Sequence, residues 1–359
     1  MKQKNNNIKV AVGVSGGVDS SVAIALLQKQ GYDVVGVFID FWKQEGEINS
    51  ASSNQARQDA EKVCQLLNVP FKVVKIHSEF KKNIVDYFTS TYKKGKTPNP
   101  CVVCNRKIKF GEFFEKIKDL KVDYIATGHY ALIKKTKSKG KNVYKLLKPK
   151  DASKDQTYFL HGLNQKQLSK ILFPLAKYNK TQVRQLAKKL NLPVFDKKES
   201  QEICFVANDN LAKFLKQQLK FGSGEIREFK TEKVLGIHKG LPLYTVGQRK
   251  GIGLPGGPWY VVSLDTKKNI LYVSLNEVDI QNKKLKLKEI NWITGIEPKL
   301  PIKVKAKIRY RVKEELAKIY KENNYYIVEF KKNQRAITPG QFCVFWQGKQ
   351  CLGGGEIIE

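Results

Sequence analysis

Two stretches of this chain carry side chains whose types and spacing point to chemistry. The first is Gly13-Val14-Ser15-Gly16-Gly17-Val18-Asp19-Ser20, which follows an apolar run and opens a helically periodic one. Gly16 and Gly17 permit a tight turn and let backbone N–H groups approach a ligand with no Cβ in the way. Those N–H groups, the hydroxyls of Ser15 and Ser20 and the positive end of the following helix suit phosphate oxygens. No Gly-Lys-Ser/Thr follows, so this is not a Walker A loop. Asp19 places a negative charge among the expected phosphates, which asks for a bridging cation such as Mg²⁺.

The second stretch is Thr97-Pro98-Asn99-Pro100-Cys101-Val102-Val103-Cys104-Asn105-Arg106-Lys107, joined at a distance by Ser200-Gln201-Glu202-Ile203-Cys204-Phe205-Val206. Two prolines stiffen the approach to the first cysteine pair. A helix expected just after Cys104, with Arg106 and Lys107 close by, favours the thiolate of Cys104. A CxxC pair is also half of a zinc site, but the chain offers no second CxxC and only four histidines. Cys64, Cys343 and Cys351 lie in apolar surroundings and read as small buried hydrophobes.

The elements that must position these groups alternate over the first two hundred or so residues. Strands are expected at Lys9–Val14, Asp33–Asp40, Phe71–Ile76 and Asp123–Thr127, and helices at Ser20–Gln30, Ser53–Leu67, Glu79–Tyr92, Lys107–Lys118 and Thr181–Leu190. This is the rhythm of an α/β fold with a doubly wound parallel sheet, whose ligands sit at the carboxyl ends of the strands. Gly- and Pro-rich turns with short strands then take over, and a third segment alternates as a β-barrel does, with strands at Lys303–Arg311 and Tyr325–Phe330. The expected division is residues 1–208, a small central domain at 209–278, and a C-terminal β-barrel at 279–359.

Lys plus Arg number 66 against 33 Asp plus Glu, a net charge of +33. That excess asks for a polyanion, with nucleic acid the natural one. The competing explanation is compositional, because the chain is rich in Lys and Asn throughout. No apolar run is long enough to span a bilayer. The basic start leads too soon into a strand and a Gly-rich turn to read as a secretory signal. The expectation is a cytoplasmic protein with no membrane partner.

The Ser-Gly-Gly-x-Asp-Ser loop resembles that of the ATP-pyrophosphatases, which split ATP to AMP and pyrophosphate while adenylating a substrate. The chain as a whole resembles the bacterial tRNA-specific 2-thiouridylases. The likeness runs through GVSGGVDS, TPNP with CNRKIKF, ATGHYA at Ala126–Ala131, KDQTYFL at Lys154–Leu160, ESQEICFV, VGQRKGIG at Val246–Gly253, and the closing PGQ and CLGGG. It implies ATP-dependent 2-thiolation of the wobble uridine of tRNA, with Lys, Glu and Gln acceptors expected. The uracil 2-oxygen would be adenylated and replaced by sulfur from a cysteine persulfide, leaving 2-thiouridine, AMP and pyrophosphate. By the same likeness Gly13 to Ser20 (Gly13, Val14, Ser15, Gly16, Gly17, Val18, Asp19, Ser20) hold ATP phosphates, with Ile39 and Gly128 near the adenosine. Cys104 and Cys204 are catalytic, and Cys204 carries the persulfide. Asn99, Pro100 and Cys101 face the target base, and His129, Lys154, Asp155, Gln156, Arg309, Tyr310 and Gln341 contact tRNA. A cysteine desulfurase or a sulfur-relay carrier is the implied donor. One departure stands out: many members carry Asp where this chain has Cys101. The substitution creates a set of three, Cys101, Cys104 and Cys204, able in principle to ligate a 4Fe–4S cluster with one open iron. The other readings are an amide-forming ATP-pyrophosphatase and a non-catalytic RNA-binding protein.

Overall fold

The computed structural model describes residues 7–42, 51–138, 140–198, 203–206 and 210–358, with 51–53 as backbone only. Ser200, Gln201, Glu202 and the expected boundary between 208 and 209 lie outside the described residues.

The first body is a five-stranded sheet of β1 (Lys9–Val14), β2 (Asp33–Asp40), β3 (Phe71–Lys75), β4 (Tyr124–Ala126) and, beyond a hairpin of β5 (Leu132–Ser138) and β6 (Lys141–Leu147), the short β7 (Ile171–Leu172). The order is β3-β2-β1-β4-β7 and all four pairings are parallel. Both faces of the sheet are covered. Val10, Val12 and Val14 pack with Val22 and Leu26 of the helix Val18–Lys29 and with Val183 and Ala187 of the helix Lys180–Lys189. Ala11, on the opposite face, packs with Val35, Val37, Phe80, Phe88 and Ile108. The period-two alternation of β1 thus feeds two cores, as a doubly wound sheet requires. Chain direction out of the sheet reverses between β1 and β4, so the crevice at their carboxyl ends is the place for a ligand.

Two helical stretches differ from expectation. Residues 77–93 form one helix with a wider turn at Lys81–Val85. The helix expected from Lys107 begins at Pro100 instead and runs through a wide turn at Asn105–Glu112 to Lys116. The reason is local: the Asn99 side chain accepts from the backbone N–H of Val102 at 3.4 Å, and Pro100 occupies the first turn, where its missing N–H costs nothing. Cys101 and Cys104 are therefore inside the helix, not ahead of it.

The central part is a four-stranded sheet, β10-β11-β8-β9, built from β8 (Gly224–Glu228), β9 (Val234–His238), β10 (Tyr260–Asp265) and β11 (Ile270–Ser274). The C-terminal part contributes β12 (Gln281–Leu287), β13 (Asn291–Trp292), β14 (Ile302–Lys307), β15 (Glu315–Glu322), β16 (Tyr325–Arg335), β17 (Phe342–Gln347) and β18 (Gln350–Glu356) to a nine-stranded sheet. The remaining two strands of that sheet are β5 and β6, which pair onto β18 through Leu146 and Leu147. A hairpin that follows β4 in the chain thus completes the edge of the C-terminal sheet, a crossing the sequence pattern did not disclose.

One contact between β2 and its covering helix is tight enough to test. Gly36 lies on the face of β2 that meets Cys64, which is fully buried, and a Cβ at 36 would overlap the Cys64 sulfur. Gly36→Ala is expected to cost about 1–3 kcal/mol of stability by overpacking. Cys64→Ala in the same background should recover most of it, as read by denaturant unfolding. A loss in the double variant equal to the sum of the two single losses would refute the contact.

Candidate active site

The phosphate loop lies at the carboxyl end of β1, as expected. Gly17 caps the helix Val18–Lys29 with extended backbone, and Gly16 has φ +66°. A side chain at Gly16 would also strike the carbonyl of Ala56, so glycine is required twice over. Ser20 Oγ receives the Ser15 N–H at 3.2 Å and donates to Gly17 O at 3.1 Å, holding the loop closed on itself. Gly128, after β4, is pressed onto this turn: a Cβ there would lie 2.7 Å from the Ser20 nitrogen and 2.8 Å from the Asp19 carbonyl carbon. Ile39 is half-buried near the end of β2. The loop and Gly128 come together, as the resemblance implied.

Asp19 has a partner of its own. Lys180 Nζ donates to both its carboxylate oxygens at 2.8 Å, and the Tyr130 hydroxyl donates to one of them at 2.8 Å. An ammonium thus offsets the Asp19 charge. Among the described residues no three Cys, His, Asp or Glu side chains are grouped so as to hold a metal ion by themselves. A second ammonium, Lys197, spans Gly16 O at 2.9 Å and Asp59 Oδ2 at 2.6 Å, tying the loop to the helix Ala51–Leu66. Lys180, Lys197, Asp59 and Tyr130 were not singled out from sequence. Lys180 is 161 positions from Asp19, and nothing in the linear order marks the pair.

The three cysteines come within electrostatic reach of one another. Cys104 is buried, whereas the side chains of Cys101 and Cys204 reach solvent. Cys104 feels the charges of both Cys101 and Cys204, and Cys204 feels that of Cys101. Cys204 sits on a turn in which the Val206 N–H donates to Ile203 O at 2.9 Å. The neighbouring Phe205 anchors that turn among Phe80, Phe88 and Phe214, with ring centroids 5.2–5.7 Å away.

Their protonation reverses one expectation. Burial pushes the Cys104 thiol up to about 12, with its two thiol neighbours adding to the rise. Burial likewise pushes Cys204 up to about 11 and raises Cys101. Cys104 ends the first helical turns instead of preceding them, so it lies away from the positive helix end. Arg106 packs its stem on Gly162, and its charge acts on His161. The cation that lowers all three thiols is Lys109, two positions beyond Lys107. The cysteine set is thus held mainly as thiols, with Lys109 opposing burial.

The residues assigned to tRNA by resemblance are distributed differently. His129 lies between Phe110 and Phe173, with Nδ1 2.7 Å from Thr127 Oγ1, and burial holds its imidazole well below the usual range, hence neutral. Asp155 is buried and accepts from Thr157 N–H at 2.9 Å and Thr157 Oγ1 at 2.7 Å. Gln156 Oε1 accepts from Tyr130 N–H at 2.8 Å and its own N–H donates to Tyr130 O at 3.1 Å. Both thus have internal partners, while Lys154 next to them is half-buried. Arg309 is a tie: one guanidinium nitrogen donates to Val246 O at 3.1 Å, to Ala336 O at 2.9 Å and to Thr338 Oγ1, joining the central and C-terminal parts. Tyr310 stacks on Phe159 with centroids 4.4 Å apart. Gln341 donates to Thr97 O and Pro98 O, both at 3.1 Å. Asn99 serves as the helix cap and Pro100 is buried, which leaves Cys101 as the member of that trio open to solvent.

Comparison with known proteins fits this architecture. Residues 8–208 match a family model described as the tRNA methyl transferase HUP domain, 212–275 the tRNA methyl transferase PRC-barrel domain, and 282–357 the aminomethyltransferase beta-barrel domain. The chain is 47% identical to a tRNA-specific 2-thiouridylase of Thermoanaerobacter sp. (strain X514), covering 98% of each chain. It is 42% identical to that of Listeria monocytogenes serovar 1/2a, covering 99% of this chain and 96% of the relative. Among solved structures, a U34-tRNA thiolase of Methanococcus maripaludis with its 4Fe–4S cluster aligns at 23% identity and TM-score 0.36, over 56% of this chain and 62% of that one. A 4-thiouridine synthetase–RNA complex with bound ATP aligns at 14% identity and TM-score 0.34, over 58% of this chain and 50% of that one. With near-complete coverage at this identity, and with the phosphate loop and the three cysteines placed as described, the chain belongs to the bacterial tRNA-specific 2-thiouridylase family.

Proposed function

We propose that this protein uses ATP to adenylate the 2-oxygen of the wobble uridine of tRNA and replaces that oxygen with sulfur carried on Cys204. The observation that carries the reading is the convergence of Cys101, Cys104 and Cys204 in a body whose first strand ends in a phosphate loop. Methyl transfer, the chemistry in the family-model description, uses neither feature.

The uracil oxygen attacks the α-phosphorus of ATP held over Gly13–Ser20, and pyrophosphate leaves toward the loop. Lys180 and Lys197 keep that loop in shape. C2 then carries an O-phosphoryl group that can depart as AMP. A persulfide on Cys204, loaded by a cysteine desulfurase or relay carrier, offers its terminal sulfur to C2. The Cys104 thiolate attacks the inner sulfur, the S–S bond of the persulfide breaks, and a Cys104–Cys204 disulfide forms while AMP leaves. Two electrons from a thiol reductant restore the pair before the next loading. Lys109 stabilises the thiolate this attack requires. Cys101 stands beside the pair where family members carry Asp. The three cysteines are not grouped so as to hold a metal ion among the described residues, and no step is assigned to an iron–sulfur cluster.

The register of two antiparallel strand pairs, β5–β6 and β14–β15, supports a polyanionic partner. Lys134 stands opposite Lys145, and Lys303 opposite Lys318. Like charges directly opposite destabilise a sheet, and tRNA phosphates relieve them. The anticodon base must leave its stack to reach the cysteines, as in other single-stranded RNA recognition.

The decisive assay is nucleoside mass spectrometry of tRNA incubated with protein, ATP, Mg²⁺ and a persulfide donor. Cys104→Ser and Cys204→Ser should each yield no 2-thiouridine, while Cys343→Ser and Cys351→Ser retain transfer apart from stability losses of about 1–3 kcal/mol for a buried hydroxyl. Thiolation by Cys204→Ser would overturn the assignment. Affinity for tRNA should fall with salt at a log–log slope of about −0.7 to −0.9 per phosphate neutralised, and a flat dependence would make the +33 charge merely compositional. Lys109→Met removes the charge that lowers the thiols, so the pH profile for alkylation of Cys101 and Cys204 should move to higher pH. An unmoved profile would deny Lys109 that role.

A further inference from the structure

The segment that leads into Cys101 and Cys104 has a hydrogen-bonding deficit. Pro98 and Pro100 carry no N–H, so Thr97-Pro98-Asn99-Pro100 has few donors of its own, while its carbonyls still need partners. The structure supplies those partners from the far end of the chain. The amide of Gln341 gives one N–H each to Thr97 O and Pro98 O, both at 3.1 Å. The Thr97 N–H donates to Pro339 O at 2.9 Å. Gly340, at φ +90°, is pressed so close that a Cβ there would lie 2.8 Å from Thr97 O. The central part adds a contact between Thr97 Oγ1 and Thr245 Oγ1 at 3.2 Å.

The turn that presents Gln341 is itself fixed. Gly340 N–H donates to Ile357 O at 2.9 Å, and Ile357 N–H donates to Gln341 O at 2.8 Å. Arg309 holds Ala336 O and Thr338 Oγ1 just ahead of the turn, and Thr338 is buried. A chain of bonds therefore runs from Arg309 through Thr338 and the Pro339-Gly340-Gln341 turn to Thr97 and Pro98. Asn99 follows at once, and its side chain caps the helix bearing both cysteines.

We infer that Gln341 is a positioning residue for the thiol chemistry: the C-terminal sheet sets the placement of Cys101 and Cys104 by holding the carbonyls of Thr97 and Pro98. This rests on the sulfur-transfer reading above and adds a part to it. Both amide hydrogens of Gln341 are engaged by the cysteine loop. A displacement of the helix start by a fraction of an ångström moves Cys104 relative to Cys204, and sulfur transfer needs in-line approach of one sulfur to another.

The test compares wild type, Gln341→Glu and Gly340→Ala. Glu keeps the size of the side chain but presents carboxylate oxygens to two carbonyls. Ala introduces the colliding Cβ while leaving Gln341 in place. Single-turnover thiolation is measured at saturating tRNA with persulfide preloaded on Cys204, beside tRNA affinity by filter binding, AMP release and the pH profile of Cys101 alkylation. The expected result is a loss of about 10- to 100-fold in the thiolation rate for both variants. Affinity for tRNA should hold within about threefold, well under the tenfold that 1.4 kcal/mol represents, and the alkylation profile should shift. Unchanged thiolation at saturating tRNA with weakened binding would overturn the inference and return Gln341 to RNA contact. Unchanged values throughout would overturn it as well. Wild type that releases no AMP and thiolates nothing would instead refute the underlying reading of the site, an outcome distinct from both.

Discussion

Three thiols lie within electrostatic reach of one another, Cys104 buried and Cys101 and Cys204 at the surface, and Lys109 is the ammonium that works against the cost of ionising them. Much of the architecture serves that arrangement. Burial keeps Cys104 protonated in the resting protein, which on the proposed mechanism protects a nucleophile between turnovers. The same burial lowers the thiolate fraction available for attack, so placement has to compensate. A thiol pushed up to about 12 reacts usefully only if its target sulfur is delivered to it in line. Delivery depends on the Phe205 anchor, which holds the Cys204 turn against the helices on one face of the parallel sheet.

The domains are accordingly not separate tools on a string. β5 and β6 leave the first body to complete the C-terminal sheet, Arg309 joins the central part to the C-terminal one, and Gln341 reaches back to the cysteine loop. Tyr158 donates its hydroxyl to Phe342 O at 2.9 Å, one residue beyond Gln341. The side-chain ties from Arg309, Gln341 and Tyr158 each end on a backbone carbonyl of another part of the chain. A tRNA that engages the C-terminal sheet therefore presses on the element that carries Cys101 and Cys104.

Much of this was legible in the sequence, for identifiable reasons. β1 and β2 begin and end where the apolar runs do, because a parallel strand buried on both faces is a continuous apolar segment. The phosphate loop could be read because its glycines answer a local need. What escaped was non-local or was set by a cap. The helix start at Pro100 depends on an asparagine whose side chain turns back on Val102, and missing it put the wrong charges beside Cys104. The Lys180–Asp19 pair and the Gln341 clamp join residues with 160 or more positions between them, and no periodicity announces such pairs. The internal hydrogen bonds of Arg309, Asp155 and Gln156 were equally illegible, because their partners come from other parts of the fold and the resemblance spoke only of RNA.

The central claim is that Cys204 delivers sulfur and Cys104 takes its place on the broken bond. The most direct measurement is peptide mass spectrometry of the protein quenched after one turnover with preloaded persulfide and no reductant. The account predicts a Cys104–Cys204 linked peptide in an amount equal to the 2-thiouridine formed. Thiouridine formed at full yield with both cysteines recovered as free thiols would contradict it.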